Sequence, residues 1–474
     1  MVQTPDSPED LITSSVLGKH SEPQSKKDLQ RSSGIHLRGG LQRRLSFNRP
    51  EQTPRFLLGL LLCLGPLFLV TVRGWSNGIL IAGALLCLVF LTIGRHGLRE
   101  RTVRLVSPNN ASLALMVTIT LLAPFLSVAI SSALRNSLYS PQFDSPLRLC
   151  LAIPIFIFAL RTNLNPAKFL QFAFPAALLI TLGQQYLVTQ PMHWGATRMA
   201  TYFADPLVFG YVAMTFGLVS AVSINLLKKD TPLVVAFKLI GAVTGFYLSV
   251  ESGSRTGWMA IPIVLTMWAY LHMNTNRGKR SHVFGVVALS CLLLVLTYLT
   301  SGTVQSRINL IASEIATYPT TGIAPETAVG SRITFLRIAW DLFSQNPWRG
   351  FGDTRFEQFP VPPKIMAYAS ATTLNIAFKS GFHNEIVSNA IRSGIFGLIA
   401  HAALFIVPFT VFLKKLKSDV AFDKAKAQAV IGATFVICMF VSSLSTEILD
   451  LKFMASFYAL TIALLCGSAL ASHE

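Results

Sequence analysis

Residues 111–130 read ASLALMVTITLLAPFLSVAI, twenty residues without one charge. At 1.5 Å per residue such a run covers about 30 Å as a helix, the thickness of the hydrocarbon core of a bilayer. Comparable apolar runs recur on both sides of it, near 56–72, 78–93, 147–160, 168–189, 206–227, 232–250, 256–273, 282–300, 391–413, 427–446 and 451–470. The expected fold class is therefore all-α, a polytopic integral membrane protein with about twelve transmembrane helices. The runs at 78–93 and 147–160 are short, which predicts a tilted, broken or re-entrant element there.

Composition agrees with that reading. Of 474 residues, 52% are hydrophobic and only 13% charged, with a mean hydropathy of +0.53, far more apolar than an average soluble domain. The formal charge of +18 does not point to nucleic acid, because the lysines and arginines sit largely in short loops between apolar runs. Six cysteines (Cys63, Cys87, Cys150, Cys291, Cys438, Cys466) stand singly in or beside those runs, without CxxC or metal-ligand spacing, and read as small buried hydrophobes.

Two segments break the pattern. Residues 1–54 are rich in Ser, Pro, Gln, Lys and Arg and carry no signal-peptide core, so they read as a disordered basic cytoplasmic tail. Arg38, Arg43, Arg44, Arg49 and Arg55 hold that tail inside and can touch anionic lipid. Residues 55–474 form the membrane domain, interrupted by one long polar loop at 301–390. Charge sets the orientation, since short cytoplasmic loops carry the excess of Lys and Arg. The loops holding Arg95, Arg99, Arg101 and Arg104, then Arg161 and Lys168, Lys228 and Lys229, Arg277 to Arg280, and Lys414 to Lys426 all fall inside. Both termini are then cytoplasmic and the long loop lies outside, in the periplasm of a diderm host.

Four motifs carry chemistry. The first is ESGSRTGW at 251–258, a tight outer turn whose Arg255 can grip two phosphate oxygens with a fixed fork of donors, or snorkel as an interfacial anchor. The second, SRITFLRIAWDLFSQNP at 331–347, places Ile333, Leu336, Trp340 and Phe343 at helical spacing and ends at Pro347, an amphipathic loop helix. Arg337 and Asp341, four apart, read first as a local ion pair, whereas Arg332 sits in the first turn, where free amides also favour an anion. The third, PWRGFG at 347–352, is a turn that carries Arg349 and lacks the context of a nucleotide fingerprint. The fourth is GFHNE at 381–385. His383 titrates near neutral pH and can take a proton from an attacking hydroxyl, with Asn384 or Glu385 beside it to orient the ring, although a loop histidine is by default a surface residue and Glu385 can equally cap the next helix. HExxH, a paired Asp-x-Asp, a P-loop and GxSxG are all missing, so no metal and no cofactor is expected.

In this order and spacing, SGSR, SRITFLRIAWDLFSQNPWRGFG and HNEIVSNAIRSGIFGL resemble the O-antigen ligase and Wzy polymerase superfamily of bacterial membrane glycosyltransferases, over roughly residues 252–400. The resemblance implies transfer of a glycan from an undecaprenyl-diphosphate carrier to a sugar acceptor outside the cytoplasmic membrane, without nucleotide or metal. The acceptor is a lipid A-core sugar in ligases and another repeat unit in polymerases; chain-length and export proteins are the implied partners. It further implies that Arg255 and Arg332 bind the diphosphate and that His383 activates the acceptor. Arg337, Arg349, Asn384 and Glu385 are added as expected substrate-binding residues. A single inverting displacement is expected, since no carboxylate is marked as a nucleophile. The rival plan for a chain of about twelve spans is a secondary transporter of small solutes, against which stand the lack of a repeat between halves and the scarcity of ionisable residues at span centres.

Overall fold

A computed structural model of the chain describes residues 52–93, 108–162, 164–188, 198–275, 328–354, 359–417 and 424–471, together with isolated positions between 285 and 316. The tail up to Glu51, the basic loops at 95–104 and 277–280, most of the expected span 282–300 including Cys291, most of the first part of the outer loop and Arg355 lie outside the described residues.

Among the described residues every regular element is a helix. In chain order they are Gln52–Cys63 (α1), Trp75–Ile93 (α2), Pro108–Arg135 (α3), Asp144–Leu151 (α4), Ile153–Arg161 (α5), Pro166–Leu187 (α6), Pro206–Val222 (α7), Pro232–Glu251 (α8), Ala260–Thr275 (α9), Ala328–Gln345 (α10), Pro363–Met366 (α11), Ala371–Lys379 (α12), Glu385–Leu416 (α13), Lys424–Ser443 (α14) and Lys452–Leu470 (α15). Among the described residues, eight helical rods are long and apolar enough to cross a membrane: α2, α3, the combined rod Ser140–Arg161, α6, α8, α13, α14 and α15. Two shorter apolar helices, Pro206–Val222 and Thr256–Leu271, accompany them.

Local sequence explains where the rods differ from uniform spans. The expected run at 56–72 is helical only as far as Cys63 and continues in turns to Trp75, because Gly65 and Pro66 follow at once and proline supplies no N–H to continue the ladder. The short run at 147–160 is the broken element: α4 and α5 meet at Ala152, one residue before Ile153-Pro154. The cysteines behave as small hydrophobes, with Cys63, Cys87, Cys438 and Cys466 buried and Cys150 half-buried.

Burial orders the bundle. In α14 and α15, 89% and 94% of the most apolar window is buried, against 33% in α2 and α8, so the first two form the centre and the last two face outward. α7 is buried nearly all round, as a helix apolar on every side must be. It packs on α8 backbone to backbone, since a Cβ on Gly245 would lie 2.6 Å from the Ala213 carbonyl oxygen and 2.7 Å from Gly217 Cα. A buried lysine ties α6, α7 and α8 at the other end: Lys238 Nζ donates to Gln171 Oε1 and the Ser223 carbonyl, both at 2.7 Å, and to Asp230 at 2.8 Å. With three donors and three acceptors matched, that charge is a staple rather than a relay.

The helix α13 is two arms. Ser393 and Gly394 leave helical geometry, Gly394 with φ 62° and ψ −149°, a region glycine alone tolerates. The chain folds back there: a Cβ on Gly397 would stand 2.1 Å from the Asn389 carbonyl oxygen, and His401 Nε2 lies 3.7 Å from Glu385 Oε1. In a straight helix residues 385 and 401 would be about 24 Å apart. The PWRGFG turn closes the break, with Ile395 N donating to the Pro347 carbonyl (2.7 Å), Phe351 N to Ile391 (2.8 Å) and Gly352 N to Arg392 (2.9 Å). Arg135, at the end of α3, donates to the Arg349 and Arg392 carbonyls at 2.7 and 3.0 Å. Several backbone groups at the bend thus find partners outside the helix.

The described part of the outer loop has its own small core. Phe335, Ile338, Ala339 and Leu342 of α10 pack with Ile365, Ala369, Ala377, Phe378 and Phe382, and Ile391 of the first arm of α13 joins them.

Candidate functional site

His383 sits at the foot of that first arm, half-buried, with a φ of 51°. Left-handed backbone costs a non-glycine residue about 1–2 kcal/mol, and its neighbours hold it there. Phe382 N donates to Glu447 Oε1 at 2.9 Å, and Gly381, with φ 97°, is packed so closely that a Cβ would overlap the same oxygen. On the other side Asn384 caps the arm, its Oδ1 accepting from Val387 N at 3.1 Å. The Phe335 ring lies against the imidazole, centroids 5.7 Å apart and planes at 31°.

Phe335 stands one helical turn after Arg332 on α10, so the helix that supports the imidazole also brings the guanidinium to it. Arg332 is exposed, within reach of an anion from solvent, while the surrounding protein partly dehydrates it and lowers its pKa from the ordinary guanidinium value. Burial also lowers the pKa of His383, with Arg332 adding to the shift, while the carboxylates of Glu447 and Asp205 oppose it. The net effect keeps the imidazole neutral, and able to accept a proton, further into the acid range than a free histidine.

Asp205 links this centre to the Arg255 turn. Its Oδ1 caps α7, accepting from Leu207 N and Val208 N at 2.8 and 3.1 Å. Against the same end of α7 pack Ser252 and Ser254, which a Cβ on Gly210 would strike at 2.1 and 2.5 Å. Arg255 follows directly and is exposed. A second arginine braces the turn: Arg198 Nε donates to the Ser252 carbonyl at 2.8 Å, and Met199 N to that of Glu251 at 3.0 Å. Arg255, Arg332 and His383 thus belong to one end of the bundle.

The other expected residues have local partners. Arg337 lies 4.0 Å over the Tyr368 ring. Asp341 accepts from Lys364 Nζ (2.7 Å) and Tyr368 Oη (2.9 Å); burial pushes its carboxyl up, but those bonds and the charges of Lys364 and Arg337 hold it below the usual range. Arg349 is exposed and donates to Asn346 Oδ1 at 2.9 Å. Glu385 is buried with both oxygens engaged, Oε1 by Asn389 Nδ2 and Oε2 by Leu449 N, each at 2.8 Å. The negative charges of Glu447 and Asp205 act on His383.

Glu447 is the residue sequence reasoning missed. From the turn between α14 and α15 it accepts from Phe382 N and Ser388 Oγ and pairs with Arg392, which also reaches Asp450 at 3.2 Å. A glutamate and an aspartate in the turn SSLSTEILDLK (442–452) between two apolar runs were the available signal. Among the described residues no group of three or more His, Cys, Asp or Glu is arranged to hold a metal ion.

Apolar rods around buried polar groups define an integral membrane protein, and the segments that carry Arg255, Arg332 and His383 lie toward one end of its bundle. Residues 240–402, roughly a third of the chain and the part that holds Arg255, Arg332 and His383, match the family described as O-antigen ligase, which places this segment in the O-antigen ligase and Wzy superfamily and bears out the resemblance. A protein of Haemophilus influenzae, described as uncharacterized, is 22% identical over 287 residues, covering 58% of this chain and 67% of its own length.

Proposed function

We propose that the protein transfers a glycan from an undecaprenyl-diphosphate-linked donor to a sugar hydroxyl on the outer face of a bacterial cytoplasmic membrane. The observation that supports this reading is that the helix carrying Arg332 packs its Phe335 ring against the half-buried His383 inside the segment that matches the O-antigen ligase family. The same match favours glycan transfer over solute transport.

In the proposed step His383 takes the proton of the acceptor hydroxyl as that oxygen attacks the anomeric carbon. The bond from that carbon to the diphosphate breaks in the same step, with inversion, and Arg255 and Arg332 take up the negative charge of the leaving diphosphate without a metal. Phe335 and the Glu447-anchored turn hold the imidazole in place. The carrier's tail stays in membrane lipid. Both termini lie on the cytoplasmic side in this reading, and chain-length or export proteins are the expected partners.

Transfer in purified membranes tests the assignment. His383→Ala and Arg332→Ala are expected to lower it by about 10² or more; normal transfer by either variant would remove that residue from the site. A deletion strain separates the two acceptors, since accumulated carrier-linked polymer marks a ligase, and loss of polymer with single repeats still transferred marks a polymerase.

A further inference from the structure

The folded-back helix α13 carries a buried acid and a buried base that the proposed reaction does not use. Glu385 is 1% exposed and His401 6%. His401 Nδ1 lies 3.1 Å from the Gly397 carbonyl oxygen, which can only accept, so Nδ1 carries a hydrogen. The other nitrogen, Nε2, faces Glu385 Oε1 at 3.7 Å. If the imidazole were neutral and Glu385 ionised, a lone pair would face a buried carboxylate. The nearby cation does not resolve this, because Arg392 is divided between Glu447 and Asp450. Asp353 also lines the space beside the pair. The cluster is therefore rich in carboxylates, and the group placed to answer Glu385 is His401. The cavity beside them has about 40 Å³ of room for water centres, a space for water and not for a sugar ring.

We propose that Glu385 and His401 hold one proton between them as an electrostatic pair, and that this pair latches the first arm of α13 to the second so that His383 keeps its left-handed backbone at the arm's foot. Three observations meet in the proposal. The arms touch where Asn389 meets Gly397 and where Glu385 meets His401, pairs spaced evenly about residue 393. Glu385 joins the arm to the 447–450 turn through Leu449 N. That same turn, through Glu447, holds Phe382 next to His383. His401 is then a positioning residue, since it acts on His383 through Glu385 and the arm. This role rests on the proposed glycan transfer, whereas the latch itself does not.

The test uses the full-length protein in nanodiscs and reads hydrogen exchange of the amides in 382–392 and of Leu449, beside transfer from the lipid-linked donor. His401→Phe strands a buried carboxylate, and exchange over 382–392 is expected to rise at least about tenfold. Adding Glu385→Gln to His401→Phe removes that charge while keeping an oxygen for Leu449 N, and is expected to restore protection and most of the lost transfer. Mere packing of the imidazole predicts no such rescue. Unchanged exchange in His401→Phe, or a double variant no better protected than the single one, overturns the latch. Altered exchange with unaltered transfer overturns the positioning role. If the wild-type protein transfers nothing from the donor, the reaction fails while the exchange measurements still decide the latch.

Discussion

At the scale of single residues the site turns on competing influences on one imidazole. Burial and Arg332 lower the pKa of His383 while Glu447 and Asp205 raise it. A histidine base works only when neutral, so activity is present above its pKa and lost as pH falls through it; a lowered value carries the active range further toward acid. Arg332→Gln removes a positive charge and leaves the two negative ones. The acid limb of the pH–rate profile is therefore expected to move to higher pH, on top of a uniform loss of about 10² from the weakened diphosphate grip. Glu447→Gln should move the same limb the opposite way, because it removes a negative charge. Arg332→Lys keeps the charge and loses the fork, so it should leave the limb in place while lowering the rate. Profiles that keep one limb position in all three variants would show that these charges do not reach the base. His383 was legible as a titratable residue in a polar stretch, and Arg332 as a first-turn arginine of a patterned helix. Glu447 was not, since a lone carboxylate between two apolar runs looks the same whether it faces solvent or, as here, accepts from Phe382 N and Ser388 Oγ.

At the scale of elements the informative departure is α13. Its apolar run reads as a single span from 391, but the local geometry at Ser393 and Gly394 turns it into two arms, and the PWRGFG turn supplies the hydrogen bonds that the bend releases. Periodicity reports which residues are apolar, whereas a fold-back depends on a φ that only glycine adopts and on a partner some 45 residues earlier in sequence. The glycines at 350, 352 and 394 were therefore visible as turn formers but not as parts of one clamp. Gly394→Ala would strain its backbone and drive a Cβ to within 2.5 Å of the Pro347 carbonyl oxygen. Gly397→Ala would force the arms apart at Asn389. Each is expected to destabilise the protein by about 2–4 kcal/mol, seen as a lowered thermal-unfolding midpoint in nanodiscs. Gly78→Ala, on the face of α2 where nothing lies within 4 Å, is the matched control and should leave the midpoint nearly unchanged.

At the scale of the whole molecule, the turns before α7, after α8, before α13 and between α14 and α15 carry Asp205, Arg255, His383 and Glu447, and their charges and packing bring them to one end of the bundle. The lysines at the end of α13, Lys414, Lys415 and Lys417, lie about 30 Å of helix away from its bend. On the proposed reading, the excess of positive charge on short loops puts that lysine end in the cytoplasm and the site on the outer face. The described cysteines are buried except for half-buried Cys150, so with Cys291, which lies outside the described residues, replaced by serine, a single introduced thiol gives a clean report. Ser344→Cys, on the exposed side of α10, is expected to react with a membrane-impermeant maleimide in right-side-out vesicles. Lys417→Cys, exposed at the far end of α13, should react in inside-out vesicles or after permeabilisation. Labelling of both from one side would break the link between the site end and the outer face, and with it the access of a carrier-linked glycan to His383. Labelling with the two sides exchanged would leave the site intact but turn it toward the cytoplasm, where the lysine rule would have failed for this chain.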